Sequence, residues 1–210
     1  MKISYAIPVC NEHVELEKLL SFLHEHIDEN DEIVVQCDEG NTTHEVDKVL
    51  GTWQGGPLKV IHFPLKGHFS NFKNNLKEHC TGDWIFQIDA DELPHESLIT
   101  NLKELLKLNT NTEMFLVPRV NTVDGLTQEH INKWRWNVNE KGWVNWPDYQ
   151  TRIIQNSQKI KWQNKVHEQI VGISTKGALP MEEEWCLYHP KTIGKQEVQN
   201  RLYESINNGG

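Results

Sequence analysis

The sequence predicts an α/β protein whose core is a mostly parallel, Rossmann-like sheet flanked by helices, with a smaller irregular half behind it. Three observations predict it. Strand and helix periodicities alternate through the first half. The polar clusters of that half fall where strands end. At 210 residues the chain suits one compact domain that buries a core without staples.

The elements follow in order. Ile3, Tyr5 and Ile7 alternate as a strand does, and this strand is expected to stop at Pro8. Leu16, Leu19, Leu20, Leu23 and Ile27 recur on one helical face. Ile33 to Cys37 is a short apolar run, read as a buried strand, and the turn-rich Asp38-Glu39-Gly40-Asn41 leads from it into a second helix. Gly55-Gly56-Pro57 marks a turn before a third strand, Leu58 to Phe63. Phe69, Phe72, Leu76 and Cys80 line a third helix, which Gly82 is expected to terminate. Trp84 to Ile88 reads as a fourth strand, Asp89-Ala90-Asp91-Glu92 follows at once, and Pro94 opens a helix carrying Leu98, Leu102, Leu105 and Leu106. This βαβαβαβα order makes a parallel sheet covered on both faces. Ligands of such sheets bind beyond the carboxyl ends of the strands, so Asn11-Glu12, Asp38-Glu39 and Asp89 to Glu92 should meet at one edge.

The second half is less regular. Met114 to Val120, Thr151 to Ile154 and Val166 to Ile173 read as strands, a tryptophan-rich loop segment runs from Trp134 to Trp146, and Lys195 to Ile206 reads as a helix. No long linker divides residues 1–210, so one domain is expected.

Composition removes several function classes. A net charge of −9 leaves no cationic stripe to displace counterions, which excludes a duplex-binding protein as the main reading. Cys10, Cys37, Cys80 and Cys186 form no CxxC pair, so neither a zinc knuckle nor a redox motif is indicated. No apolar run approaches the ~20 residues of a membrane span. A strand beginning within two residues of Met1 leaves no room for a signal peptide, and a cytoplasmic location is expected. The first turn is not GxGxxG and no GxxxxGK[ST] occurs, which excludes a dinucleotide-binding dehydrogenase and a P-loop enzyme.

Asp89-Ala90-Asp91 is the sharpest motif. Two carboxylates at the end of a buried strand can divide one task, one reaching a divalent cation and the other a ribose or a metal-bound water. Hard oxygen ligands suit Mg²⁺ or Mn²⁺, which in turn bridge phosphates. An acidic chain often contains such a pair by chance, but this one lies between an apolar strand and a helix. An EF-hand is a poor fit because Pro94 stands where that loop needs glycine.

Three segments resemble family 2 glycosyltransferases of the GT-A fold. Ala6-Ile7-Pro8-Val9-Cys10-Asn11-Glu12 resembles the opening strand and turn, Ile33 to Thr42 the second strand with its terminal aspartate, and Gly82 to Glu92 the fourth strand with its metal motif. Trp146 to Arg152 and Val166-His167-Glu168 resemble a subset of that family with an arginine-bearing strand and a valine-histidine-glutamate element. The resemblance implies a GT-A fold with a nucleotide-sugar-binding half (1–110) and an acceptor-side half (111–210). It implies metal-dependent transfer, with Mn²⁺ or Mg²⁺, of a sugar from a UDP-sugar to the hydroxyl of a glycan or other acceptor, with inversion.

It also implies residue roles. Pro8, Asn11 and Glu12 line the donor site, and Asp38 accepts hydrogen bonds from the base. Asp89 contacts the ribose and, with Asp91, serves the metal. Asn75 matches the asparagine of an arginine-asparagine pair near the donor. Asn74 then stands at the arginine position, with Lys66 or Lys73 as replacements. Arg152 clamps phosphate or pairs with Asp148. His189 completes the metal shell, with His167 as its competitor. Glu168, or else Asp148, takes the acceptor proton, although Glu168 could equally pin His167 or Arg152. The tryptophan-rich segment could stack on a sugar.

Two rivals stay open. A nucleotidyltransferase is disfavoured because the first turn carries neither glycine nor lysine. A degenerate sugar- or nucleotide-binding module is favoured only by the missing arginine beside Asn75.

Overall fold

The computed structural model describes residues 1–198 and 201. The chain begins β1 (Ile3–Val9), α1 (His13–His26), β2 (Glu32–Asp38), α2 (His44–Thr52), β3 (Leu58–Phe63), α3 (Phe69–Glu78), β4 (Trp84–Gln87). It continues β5 (Leu93–Pro94), α4 (Glu96–Leu108), β6 (Met114–Val117), β7 (Arg119–Asp124), α5 (Gln128–Trp134), β8 (Gln150–Gln155). The last named strands are β9 (Lys161–Gln163), β10 (Gln169–Val171), β11 (Lys176–Ala178) and β12 (Leu187–Thr192).

Seven strands form the main sheet in the order β11-β6-β8-β4-β1-β2-β3. The pairs β1–β2, β2–β3 and β1–β4 are parallel, as the alternating pattern predicts. The sheet is mixed because β8 enters antiparallel between β4 and β6. Its central strands are apolar on both faces because both are covered. On one face Ile3, Tyr5, Ile7, Ile33 and Val35 pack against Leu16, Leu19, Leu20 and Leu23 of α1 and Leu98, Leu102 and Leu106 of α4. On the other, Ala6, Val34 and Ile85 pack against Leu76 of α3 and nearby Cys80. A second sheet, β5-β12-β7, lies beyond the carboxyl end of β4, and β9–β10 form a ribbon.

Several boundaries differ from the sequence expectation. β1 runs through Pro8, with Pro8 opposite Gln36. Pro8 faces the β4 side, as Ala6 does, and the ladder there ends at Gln87, so the missing N–H breaks no pair. Pro94 does not open a helix. It pairs with Leu187, and α4 starts at Glu96 with the His95 ring accepting from the Ser97 N–H at 3.1 Å. Met114 to Val120 is two strands, because Pro118 separates β6 from β7 and sends them to different sheets. Of Val166 to Ile173 only β10 is extended, and His167 takes a left-handed φ of 54°. α3 ends before Gly82, whose requirement is close approach: a Cβ there would lie 2.7 Å from the Ser4 nitrogen. Residues 193–198 are helical, and the remainder of the expected Lys195 to Ile206 helix lies outside the described residues apart from helical 201. No described helix is long and apolar enough to cross a membrane.

Candidate active site

The carboxyl ends of β1, β2 and β4 open onto a cleft of about 600 Å³, whose far wall comes from β7, β8 and β12. Pro8, Glu12, Asp38, Asp89 and Asp91 all line it, so the polar strand ends do converge. Glu12 closes the first turn, its Oε2 accepting the N–H groups of Cys10 (2.9 Å) and Asn11 (3.0 Å). Asn11 itself is exposed and outside the cleft lining, whereas Glu12 lines the cleft. Asp38 is buried at the end of β2, and its carboxylate accepts from the Leu65 N–H (2.8 Å) and the Asn41 amide (3.1 Å).

The floor is a chain of alternating charges. Arg152 on β8 donates through Nη2 to Asp89 Oδ2 at 2.5 Å and to Glu92 Oε1 at 2.6 Å. Arg119 on β7 donates to the same Glu92 oxygen at 2.9 Å and, through Nε and Nη2, to Asp148 Oδ2 at 3.0 and 2.6 Å. The Glu92 side chain is fully buried, so the two guanidinium groups are what make its burial tolerable. Burial alone would raise the Asp89 pKa, but Arg152, with Lys73 and Arg119 behind it, holds that carboxyl well below its ordinary range. Burial opposes the charge on Arg152 too, and Asp89 and Glu92 reverse the effect.

A second line of contacts reaches the other aspartate. His189 Nε2 lies 3.3 Å from Asp91 Oδ2, and His189 Nδ1 lies 2.7 Å from Asn121 Oδ1. The Asn121 amide donates to Asp148 Oδ2 at 2.8 Å. Burial of Asp91 works against its ionisation, but the His189 contact lowers its pKa overall. Lys191, two residues beyond His189 on the cleft wall, is shifted down by burial.

The opposite flank carries Lys73 of α3. Its ammonium is 3.2 Å from Glu168 Oε1 and 4.4 Å above the Trp162 ring. Glu168 and His167 both line the cleft, and Glu168 pairs with Lys73.

The structure places three further residues as follows. Asn75 does not reach this cleft but lines a separate groove with Asn71, Lys77 and Ile160. A helix turns about 100° per residue, so Lys73 and Asn75 point about 200° apart and only one can face the cleft. The asparagine that anchors this region is Asn74, which exchanges two 2.9 Å hydrogen bonds with the Trp162 backbone. Asp148 does not line the cleft, and donors from Arg119, Asn121 and Gln150 occupy both its oxygens. Arg152 pairs with Asp89 rather than with Asp148. Arg119 and Asn121 went unnoticed in the sequence, although an arginine inside the apolar run Met114 to Val120 was a signal.

Sheet order, crossover helices and an acidic seam at the strand ends define a GT-A glycosyltransferase fold. Solved structures agree. S. aureus TarS 1–349 superposes with a TM-score of 0.62 at 13% identity, over 90% of this chain and 60% of that one. Its complex with UDP-GlcNAc gives 0.63 at 14%, over 91% and 59%. The chain thus spans about 60% of the length of these relatives. The chain belongs to glycosyl transferase family 2, whose family model matches residues 4–171. No curated protein sequence matches it significantly.

Proposed function

We propose that this chain transfers a hexosyl group from a UDP-sugar to an acceptor hydroxyl, with Mn²⁺ or Mg²⁺ and with inversion at the anomeric carbon. The observation that carries this reading is the meeting of Asp38, Asp89 and Asp91 in one cleft beside His189. The family and the UDP-bound and UDP-GlcNAc-bound TarS structures support the donor class. Residues 1–110 hold the donor, with Asp38 on the base, Pro8 and Glu12 shaping the turn and Asp89 on the ribose. Residues 111–210 form the acceptor side, where Trp136 lines the cleft and supplies a ring face for a sugar.

The residues present fit a divalent cation. Asn121 Oδ1 can only accept, so the facing His189 Nδ1 carries the proton and Nε2 turns its lone pair toward Asp91. A cation shared between Nε2 and Asp91 Oδ2, whether a proton or a metal ion, makes this 3.3 Å approach favourable. A ligating histidine held by its other N–H is the usual second tie of a metal site. Among the described residues no group of three or more His, Cys, Asp and Glu is placed to hold a metal. Asp91 and His189 would therefore supply two positions and diphosphate or water the rest, a pattern familiar for Mg²⁺. Asp89, bound by Arg152, serves the ribose rather than the metal. A bound cation offsets the negative charge that builds on the departing diphosphate.

The acceptor oxygen bonds to the anomeric carbon as the carbon–phosphate-oxygen bond breaks, and UDP leaves. Glu168 takes the acceptor proton through the oxygen not engaged by Lys73. Lys73 holds that carboxylate in place and adds positive charge beside Asp89.

The test is a thermal-shift titration of UDP with and without Mn²⁺ on the wild type and Asp91→Ala. A ligand that binds only the folded state raises the midpoint. A metal-dependent rise in the wild type, absent from Asp91→Ala, is expected. No rise with any nucleoside diphosphate would overturn the reading. Release of pyrophosphate instead of UDP on turnover would establish nucleotidyl transfer.

A further inference from the structure

The geometry points to Asp148 as a positioning residue that, through the Asn121 amide, dictates which nitrogen of His189 faces Asp91. Donors and acceptors alternate along three links. Asp148 Oδ2 already accepts two hydrogen bonds from Arg119, at 3.0 and 2.6 Å, and Gln150 donates to Oδ1 at 2.9 Å. That carboxylate is ionised and can only accept. Burial raises its pKa, but Arg119 and the hydrogen bonds from Asn121 and Gln150 lower it overall.

The Asn121 amide therefore has one permitted orientation: Nδ2 toward Asp148 at 2.8 Å, Oδ1 toward His189 at 2.7 Å. An amide oxygen in turn permits one neutral tautomer of the ring, the one protonated at Nδ1. Its Nε2 then carries a lone pair toward Asp91. The amide relays polarity without carrying charge: a carboxylate at one end fixes the lone pair at the other. Without Asp148 the amide is free to flip, its Nδ2 would meet Nδ1, and the ring would move its proton to Nε2 and donate to Asp91. The nitrogen aimed at the cleft would then be blocked.

Asn121 is well placed for this task. Its backbone carbonyl accepts the Val144 N–H at 2.8 Å, so the residue is anchored to the loop carrying Trp136 as well as to β7.

The tautomer part stands on the apo protein alone, whereas the consequence for cation affinity rests on the function proposed above. Two measurements separate them. In metal-free protein labelled with ¹⁵N-histidine, at a pH where the rings are neutral, long-range ¹⁵N–¹H correlation reads the tautomer of His189, assigned by its loss in His189→Gln. The wild type is expected to be protonated at Nδ1. Asn121→Leu and Asp148→Ala are expected to move the proton to Nε2. Asp148→Asn is expected to retain Nδ1–H, because an amide oxygen still accepts from Asn121. Electron paramagnetic resonance titration with Mn²⁺ should show about 10- to 100-fold weaker binding for the first two variants, the range seen when the outer partner of a ligating residue is lost.

Should Asp148→Ala fail to fold, Asn121→Leu decides the matter, since it leaves the Arg119–Asp148 pair intact. A wild-type ring protonated at Nε2, or an unchanged tautomer in Asn121→Leu, overturns the inference. If the tautomer moves as expected but UDP never binds, the relay stands and the transferase reading falls. If UDP binds with metal and the tautomer does not move, the reverse holds.

Discussion

Replacing Arg152 by methionine removes one charge from the floor of the cleft and keeps most of the side-chain length. Arg152 is 4% exposed and holds two carboxylates, Asp89 at 2.5 Å and Glu92 at 2.6 Å. Removing one partner of a buried ion pair costs about 3–5 kcal/mol, because the other charge stays buried. Two features favour the lower end. Glu92 keeps Arg119 at 2.9 Å, and the Asp89 side chain is 35% exposed, so water can take up its charge. A loss of about 3 kcal/mol at neutral pH is expected, or roughly 6–12 °C in Tm for a chain of this size.

Acid adds an independent signature. The folded pKa of Asp89 lies below its ordinary 3.8, so its stabilising contribution is present above that value and is lost as pH falls below it. In Arg152→Met most of that component is gone, and stability should depend less steeply on pH below about pH 4. Urea denaturation of both proteins over a pH series measures the two effects together. A loss under about 1 kcal/mol, with an unchanged acid limb, would refute the claim that Arg152 holds these carboxylates.

Other perturbations have equally definite outcomes. Glu168→Gln should lower turnover by about 10²- to 10⁴-fold while calorimetry shows UDP binding nearly unchanged; lost UDP binding would mark the residue as structural. Glu32→Gln should destabilise the fold by about 1–3 kcal/mol at pH 7, since Glu32 accepts from Lys2, Ser4 and Thr81. Those donors outweigh burial and bring its pKa from 4.5 to about 2, so this stability is present above pH 4.5 and lost on acidification toward pH 2. A variant as acid-sensitive as the wild type would contradict that assignment. Gly172→Ala should cost more than about 1 kcal/mol, because φ there is +80° and a Cβ would lie 1.9 Å from the Lys159 carbonyl oxygen; an unchanged urea midpoint would show that the strand ribbon relaxes at no cost.

The first half was legible because its information is local. Leu16, Leu19, Leu20 and Leu23 state a helical face, Ile33 to Cys37 state a strand covered on both sides, and the parallel order follows from their alternation. Asp38, Asp89 and Asp91 were legible because strand ends in such a sheet share an edge. What the sequence hid was pairing at long range. Nothing near Thr151 says that β8 will run antiparallel beside β4, and that placement is what brings Arg152 to Asp89. Pro118 announced a break, but not that the strand after it would join another sheet. The apolar face of α3 was legible, with Phe72 and Leu76 buried as its spacing predicts, but not that Lys73 rather than Asn75 would line the cleft, because polar residues at nearby positions look alike until the helix is docked. Asp148 looked like a free base because the sequence does not show its three donor residues.

Only Ile88 to Glu92 separate β4 of the large sheet from β5 of the small one, and Asp89 and Asp91 lie inside that span. The acidic segment is thus one of two short straps that tie the two sheets together, Pro118 between β6 and β7 being the other, as well as a set of ligands. Asp89 is held from the large sheet by Arg152, and Asp91 meets His189 of the small sheet. A slide of one sheet over the other would therefore change the spacing between these two carboxylates. The cleft thus has a built-in gauge of how well its two walls are aligned.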